Sequence, residues 1–232
     1  MGNNAPISLG CWQPLSPHEV ATLLAPQPAP WWIAGGWALD LFLGGQTRAH
    51  DDIDVQILRR DQRRIRAALG DWDVQGALPP PRPDHWPFEE WRRDEDLDPA
   101  IHDVWCRPRR DAPWAVQLMV GESEGDEWIY HRAPRIRRAL GAVGRRTDAG
   151  IPYLVPEIQL LYKAKAPRPK DEADFARVAP YLDDDSRHWL RDVLASVYPA
   201  HGWGAALECV LTPHFGGRPA PAKCSARFWG NG

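Results

Sequence analysis

The chain has 232 residues, enough for one large domain or two small ones, and its 44% hydrophobic and 25% charged content is that of a folded globular protein. A net charge of −3 supplies no overall basic pull toward nucleic acid. The four cysteines (Cys11, Cys106, Cys209 and Cys224) form no C-x-x-C pair, which argues against zinc and for reduced, mostly buried thiols in a cytoplasmic protein. No basic-then-apolar leader and no apolar run of membrane-spanning length is present, so neither a signal peptide nor a membrane partner is expected.

In chain order, Ser16-Pro17-His18-Glu19 carries an N-cap, a proline at the first helical position and a capping-box glutamate, and it opens a helix that ends before Pro26. Trp31 to Ala34 reads as a short buried strand. Gly35-Gly36 follows as a turn. Next comes an amphipathic helix from Trp37 to Leu43, stopped by Gly44-Gly45. Asp52 to Leu58 reads as a strand, Arg60 to Leu69 as a helix with an arginine-rich outer face, and Asp71 to Gln75 as a further strand. The proline- and charge-rich stretch from Pro79 to Pro99 reads as a long surface loop, a common setting for a lid. Ile101 to Cys106, Trp114 to Val120 and Glu127 to His131 follow as strands, with Ala115, Gln117 and Met119 on one face of the second. Helices are expected from Pro156 to Lys165, Lys170 to Leu182 and Ser186 to Val197, with Asp183 to Ser186 as the loop and cap before the last. This order predicts an α+β fold: a small mixed sheet with helices on one side over residues 1–150, a helical domain over 151–210, and a poorly ordered tail over 211–232.

The run Ala34-Gly35-Gly36-Trp37-Ala38-Leu39-Asp40, then Thr47-Arg48-Ala49-His50-Asp51-Asp52-Ile53-Asp54, carries the chemistry. Asp52 and Asp54 are two apart on a strand and so face one way. Two carboxylates this close repel and raise each other's pKa, which a divalent cation between them would relieve. An oxygen-only pair suits Mg²⁺, which borrows further ligands from phosphates and water. The glycines, lacking Cβ, permit close backbone approach to phosphate, though a plain tight turn reads the same way. Asp40 and His50 read as a structural hydrogen-bonding residue and a packing or turn residue.

These residues resemble the nucleotidyltransferase superfamily that includes DNA polymerase β, and within it the aminoglycoside 2''-adenylyltransferase and lincosamide nucleotidyltransferase group. Pro156 to Lys165 with Arg168 to Phe175 is similar to the helical part of the same group. The resemblance implies an enzyme that moves a nucleoside monophosphate, AMP from ATP or another nucleoside triphosphate, onto a hydroxyl of a small molecule such as an aminoglycoside-like antibiotic, with Mg²⁺ held by Asp52 and Asp54. Gly35 and Gly36 would hold the β- and γ-phosphates. Lys163 and Lys165, with Lys170 behind them, would complete a cationic clamp. Arg48 would touch phosphate or pair with Asp51 or Asp40. The family supplies a third carboxylate as general base, but the aligned position here is Gln117, which takes no proton. Three substitutes are open: Asp103 on the preceding strand, a loop carboxylate (Glu89, Glu90 or Asp94), or activation of the acceptor by metal alone.

The acidic run Glu89, Glu90, Asp94, Glu95, Asp96 and Asp98 could line a pocket for a polycation or be a solvated loop. Two further readings stand beside this one. A toxin-type nucleotidyltransferase acting on tRNA or protein would use the arginines at 59–66 or 135–146 as a basic groove. A nucleotide-binding protein without turnover would account for Gln117. Most of the 13 tryptophans read as core and rim residues, with a substrate cleft as the other use.

Overall fold

The computed structural model describes residues 10–79 and 88–209. The helix expected at Ser16 forms as α1 (Pro17–Leu24), with both arms of the capping box made: Glu19 N–H donates to Ser16 Oγ at 3.3 Å, and Ser16 N–H to Glu19 Oε2 at 2.7 Å. β1 (Trp31–Ile33) runs antiparallel to β2 (Asp54–Leu58), joined through α2 (Gly35–Leu43) and a loop. The glycine pair is thus the first turn of α2 rather than a turn before it. Gly44 ends that helix in the left-handed region, at φ 82°. After a 3-10 turn, α3 (Gln62–Ala68) leads to β3 (Asp73–Ala77), β4 (Phe88–Glu90), β5 (Asp103–Arg107) and β6 (Val116–Glu124).

The main sheet has the order β4-β3-β5-β6-β2-β1, continued by two strands that sequence reasoning did not foresee, β10 (Pro152–Leu154) and β9 (Gly144–Arg146). β7 (Glu127–Ile129) and β8 (Arg137–Ala139) extend the end of β6. β2 lies parallel to β6, and β1 parallel to β10. Because β10 pairs with β1, the sheet runs past the boundary expected at residue 150. β4 falls inside the stretch expected to be loop. β4 forms because β3 offers it an edge. Residues 80–87 of that stretch and the tail 211–232 lie outside the described residues.

The helical part is α4 (Pro156–Lys163), α5 (Pro169–Val178), α6 (Asp184–Val197) and α7 (Gly202–Cys209). Asp183 caps α6, its Oδ1 accepting the Ser186 N–H at 2.8 Å, as the acidic cluster there implied. α4 packs on α2 and α6, so the helical part is seated against the helix that follows the glycines. Ile53, Val55 and Ile57 are fully buried with Val104, Leu118 and Val120 on one face of the sheet. The opposite face carries Asp54 and the cleft. Among the described residues no helix is long and apolar enough to cross a membrane.

Candidate active site

Asp54 is the first residue of β2, and Asp52 lies two residues earlier, just before the strand. Both line a cavity of ≈ 250 Å³ between the sheet and the helical part. Gly35, at φ 64°, sits directly over Asp54: a Cβ there would overlap Asp54 Oδ2. At Gly36 a Cβ would overlap the Arg48 guanidinium and the His50 ring. Both glycines are therefore required by close packing of their neighbours, and their absent side chains leave the first turn of α2 open to the cleft. The N–H groups of a first helical turn lack intrahelical partners and carry the positive end of the helix dipole. Gly35 N–H is taken by Gln159 Oε1 at 2.8 Å, which ties α4 to the glycine turn.

Burial pushes the Asp54 carboxyl up to about 7, with the Asp52 charge adding to it. The Lys163 and Lys170 charges pull it down, and Asp103 pushes it up. The carboxylate form thus lacks a counter-charge of its own. Cations ring the other wall. Lys163 Nζ bonds Asp171 Oδ1 at 2.7 Å and Asp174 Oδ2 at 3.1 Å. Arg48 grips Asp174 with two bonds of 3.1 Å, so its fork faces the helical part rather than Asp51 or Asp40, and it still lines the cavity. Burial works against the Asp171 and Asp174 charges, but their arginine and lysine partners hold both below the usual carboxylate range. Lys165, Lys170 and Arg132 also line the cavity and have no carboxylate ion-pair partner among the described residues.

The register places Asp103 relative to Asp54. Asp54 is opposite Gln117, Gln117 opposite Trp105, and Asp103 opposite Met119. Directly paired residues share a face, so Asp103 projects on the Asp54 side of the sheet. Gln117 Nε2 donates to Asp103 Oδ1 at 3.1 Å. Arg107, on the same strand as Asp103, is bonded to Asp73 at 2.6 Å.

Asp40 and His50 are structural. Asp40 accepts from Thr47 Oγ1 and pairs with His50 Nε2 at 2.6 Å, and His50 stacks on Trp37 at 4.5 Å, fastening the loop that delivers Asp52. Two of the six acids in the acidic run are held by arginines: Asp96 by Arg63 and Glu95 by Arg92. The arginines of the supposed basic groove are also engaged: Arg59 by Glu122, Arg64 by Asp61, Arg137 by Glu124, Arg138 by Glu157 and Arg145 by Asp183. Gln159, Arg132 and Tyr162 line the cavity without having been singled out from the sequence. Gln159 sits in a stretch that the resemblance covers, whereas Arg132, just past β7, belongs to no motif.

Residues 17–78, which contain the glycines and both acids, match the family model described as aminoglycoside-2''-adenylyltransferase. Among solved structures, the solution structure of the antibiotic-resistance factor ANT(2'')-Ia aligns at a TM-score of 0.50, covering 83% of this chain and 92% of that one at 19% identity. The chain has the nucleotidyltransferase fold. Two curated relatives, both described as 2''-aminoglycoside nucleotidyltransferase, from Klebsiella pneumoniae and Escherichia coli, are 47% identical over 38 residues, 16% of this chain. The chain spans about a fifth of the length of these relatives, 22% of each. A crystal structure of the lincosamide antibiotic adenylyltransferase LnuA with lincomycin aligns at a TM-score of 0.48, 18% identity, over 69% of this chain and 92% of that one. The family model and the curated relatives bear out the resemblance read from the glycine and acid motifs.

Proposed function

We propose that the protein is an Mg²⁺-dependent adenylyltransferase that moves AMP from ATP onto a hydroxyl of a small molecule, an antibiotic of the glycoside kind. The observation that carries this reading is Asp54: a half-buried acid beside Asp52, directly beneath Gly35, where a Cβ would overlap it, with cations that have no carboxylate partner across the cleft. The residues present suit Mg²⁺. Asp52 and Asp54 offer oxygen ligands, and among the described residues no three His, Cys, Asp or Glu side chains form a closed metal cage, so phosphate and water would complete the sphere. Mg²⁺ supplies charge neutralisation at the phosphate oxygens when bound.

The chain's own residues do the rest. The open first turn of α2 and the cations Lys165, Lys170 and Arg132 bind the β- and γ-phosphates and stabilise the departing pyrophosphate. Lys163 and Arg48, held by Asp171 and Asp174, fix the wall on which that clamp is mounted. The acceptor hydroxyl attacks the α-phosphorus, the bond to pyrophosphate breaks, and the hydroxyl proton passes to Asp103 Oδ, oriented by Gln117. Asp103 thus takes the role that Gln117 cannot.

The test follows pyrophosphate release from labelled ATP and Mg²⁺ with a panel of aminoglycosides and lincosamides. Acceptor-dependent release that Asp54→Asn abolishes is the expected result. Silence across the panel, with wild type and variant alike, overturns the reading.

A further inference from the structure

Two chemically different territories flank Asp54 on the cleft face. Toward α2, α4 and α5 lie the cations. In the opposite direction the register runs from Asp54 to Gln117 and Met119, then to Trp105 and Asp103, then to Gln75 and Ala77. An in-line displacement brings the attacking oxygen in from the side opposite the leaving group. With pyrophosphate held toward the helices, the acceptor arrives over β6 and β5.

That side of the sheet is aromatic. Trp105 meets Trp12 edge-on at 5.0 Å, Phe88 at 4.9 Å and Trp114 at 5.5 Å. Phe88 and Trp114 are buried yet stand apart from the main core, so this is a satellite cluster on the cleft face. Trp105, Trp12 and Met119 remain half exposed above it. Acid is scarce there. On β2 to β6 the carboxylates that the register puts on this face are Asp54, Asp73, Asp103 and Glu90, and Asp73 is held by Arg107.

We propose that Trp105, flanked by Trp12 and Met119, is the platform for the acceptor, and that the acceptor is a glycoside of low charge with an apolar ring face rather than a polyamine sugar. The proposal rests on the transfer reading above and narrows its substrate. An indole face packs against the C–H face of a sugar ring or an attached apolar group, and Asp103, two residues from Trp105 on β5, then stands beside the reacting hydroxyl. A sugar with several ammonium groups requires several unpaired carboxylates beside the platform; of the strand carboxylates on this face, with Asp54 given to the metal and Asp73 held by Arg107, only Asp103 and Glu90 are left.

Calorimetry with MgATP analogue present, using phenyl β-glucoside, lincomycin and tobramycin as probes, tests the platform. Phenyl glucoside or lincomycin is expected to bind at least tenfold more tightly than tobramycin. Trp105→Ala should weaken that binding at least tenfold and Trp105→Phe less than threefold, both with unchanged MgATP affinity. Should Trp105→Ala lose MgATP affinity through misfolding, Trp105→Leu, which keeps apolar bulk without a flat face, must show the same loss. Tighter binding of tobramycin, no binding of any probe, or wild-type affinity in the alanine or leucine variant overturns the platform. Probe binding through Trp105 without pyrophosphate release leaves the platform standing and overturns the transfer reading instead.

Discussion

On the helical side of Asp54 the cleft is built from charges that hold one another; on the β5 side it is built from rings and a few acids, Asp103 among them. Asp174 alone accepts from Arg48, Lys163 and Arg177, and Asp171 accepts from Lys163 and Arg168. Such a lattice is rigid and leaves a surplus of positive charge, which suits a polyphosphate. The Trp105 side has a flat apolar surface and Asp103, which suits a ring carrying a hydroxyl. Asp54, between the two, is pushed strongly upward. The contrast shows how one sheet edge assigns separate sides to leaving group and acceptor by changing only which neighbours face it.

Removing the central acid should have the largest effect. Asp54→Asn is expected to lower kcat by about 10³-fold or more in a pyrophosphate-release assay, the scale of losing a preorganised charge-stabilising group. The same change should raise stability. An aspartate raised to about 7 in the folded state favours folding relative to its ionised form only below its unfolded value near 4, and that advantage is lost as pH rises through 7. The variant's gain over wild type, measured by denaturant unfolding without Mg²⁺, should be near zero at pH 4 and grow to about 1–3 kcal/mol by pH 7.5, discounted for the open cleft. Parallel stability curves would contradict this account.

On the acceptor side, Asp103→Asn should reduce kcat by about 10²–10³-fold, the range for general-base removal, while leaving the KM for ATP within twofold. A matching rise in the KM for ATP would place Asp103 with the phosphates and erase the distinction between the two sides. Gly35→Ala should damage both function and fold, since its φ of 64° and the overlap with Asp54 compound; a stability loss of about 2–4 kcal/mol is expected in thermal unfolding.

On the helical side, Asp174→Asn removes the acceptor of three cations and should cost about 2–4 kcal/mol. Because Asp174 and Asp171 are held low, their contribution is present above about pH 4 and is lost as pH falls through their folded values, opposite in sign to Asp54. The smallest stability effect belongs to Lys165→Ala. Exposed and unpaired, it should leave unfolding within about 0.5 kcal/mol of wild type, yet raise the KM for ATP about tenfold. An unchanged KM would remove Lys165 from the clamp.

The sequence by itself determined what lies close along the chain. The capping box of α1, the helix behind the glycines, the acid pair and the alternation of β6 are local patterns, and local backbone preference enforces them. It also brought Asp103 and Gln117 into view as the odd feature of the acid set. Of the three-residue strands, β1 and β7 were legible whereas β4, β8, β9 and β10 were not, because the partner edge that receives these four lies far from what their own residues show. Only the tertiary structure decided the long-range partners. The Gly35–Gln159 and Arg48–Asp174 bonds join residues 124 and 126 apart. Nothing in either segment names the other, since packing of α4 and α5 on α2 is what selects them. The same packing decided which lysines are bound and which are available, and strand register decided that Trp105 shares a face with Asp54. Charge and ring positions of that kind depend on distances through space, which no spacing along the chain encodes.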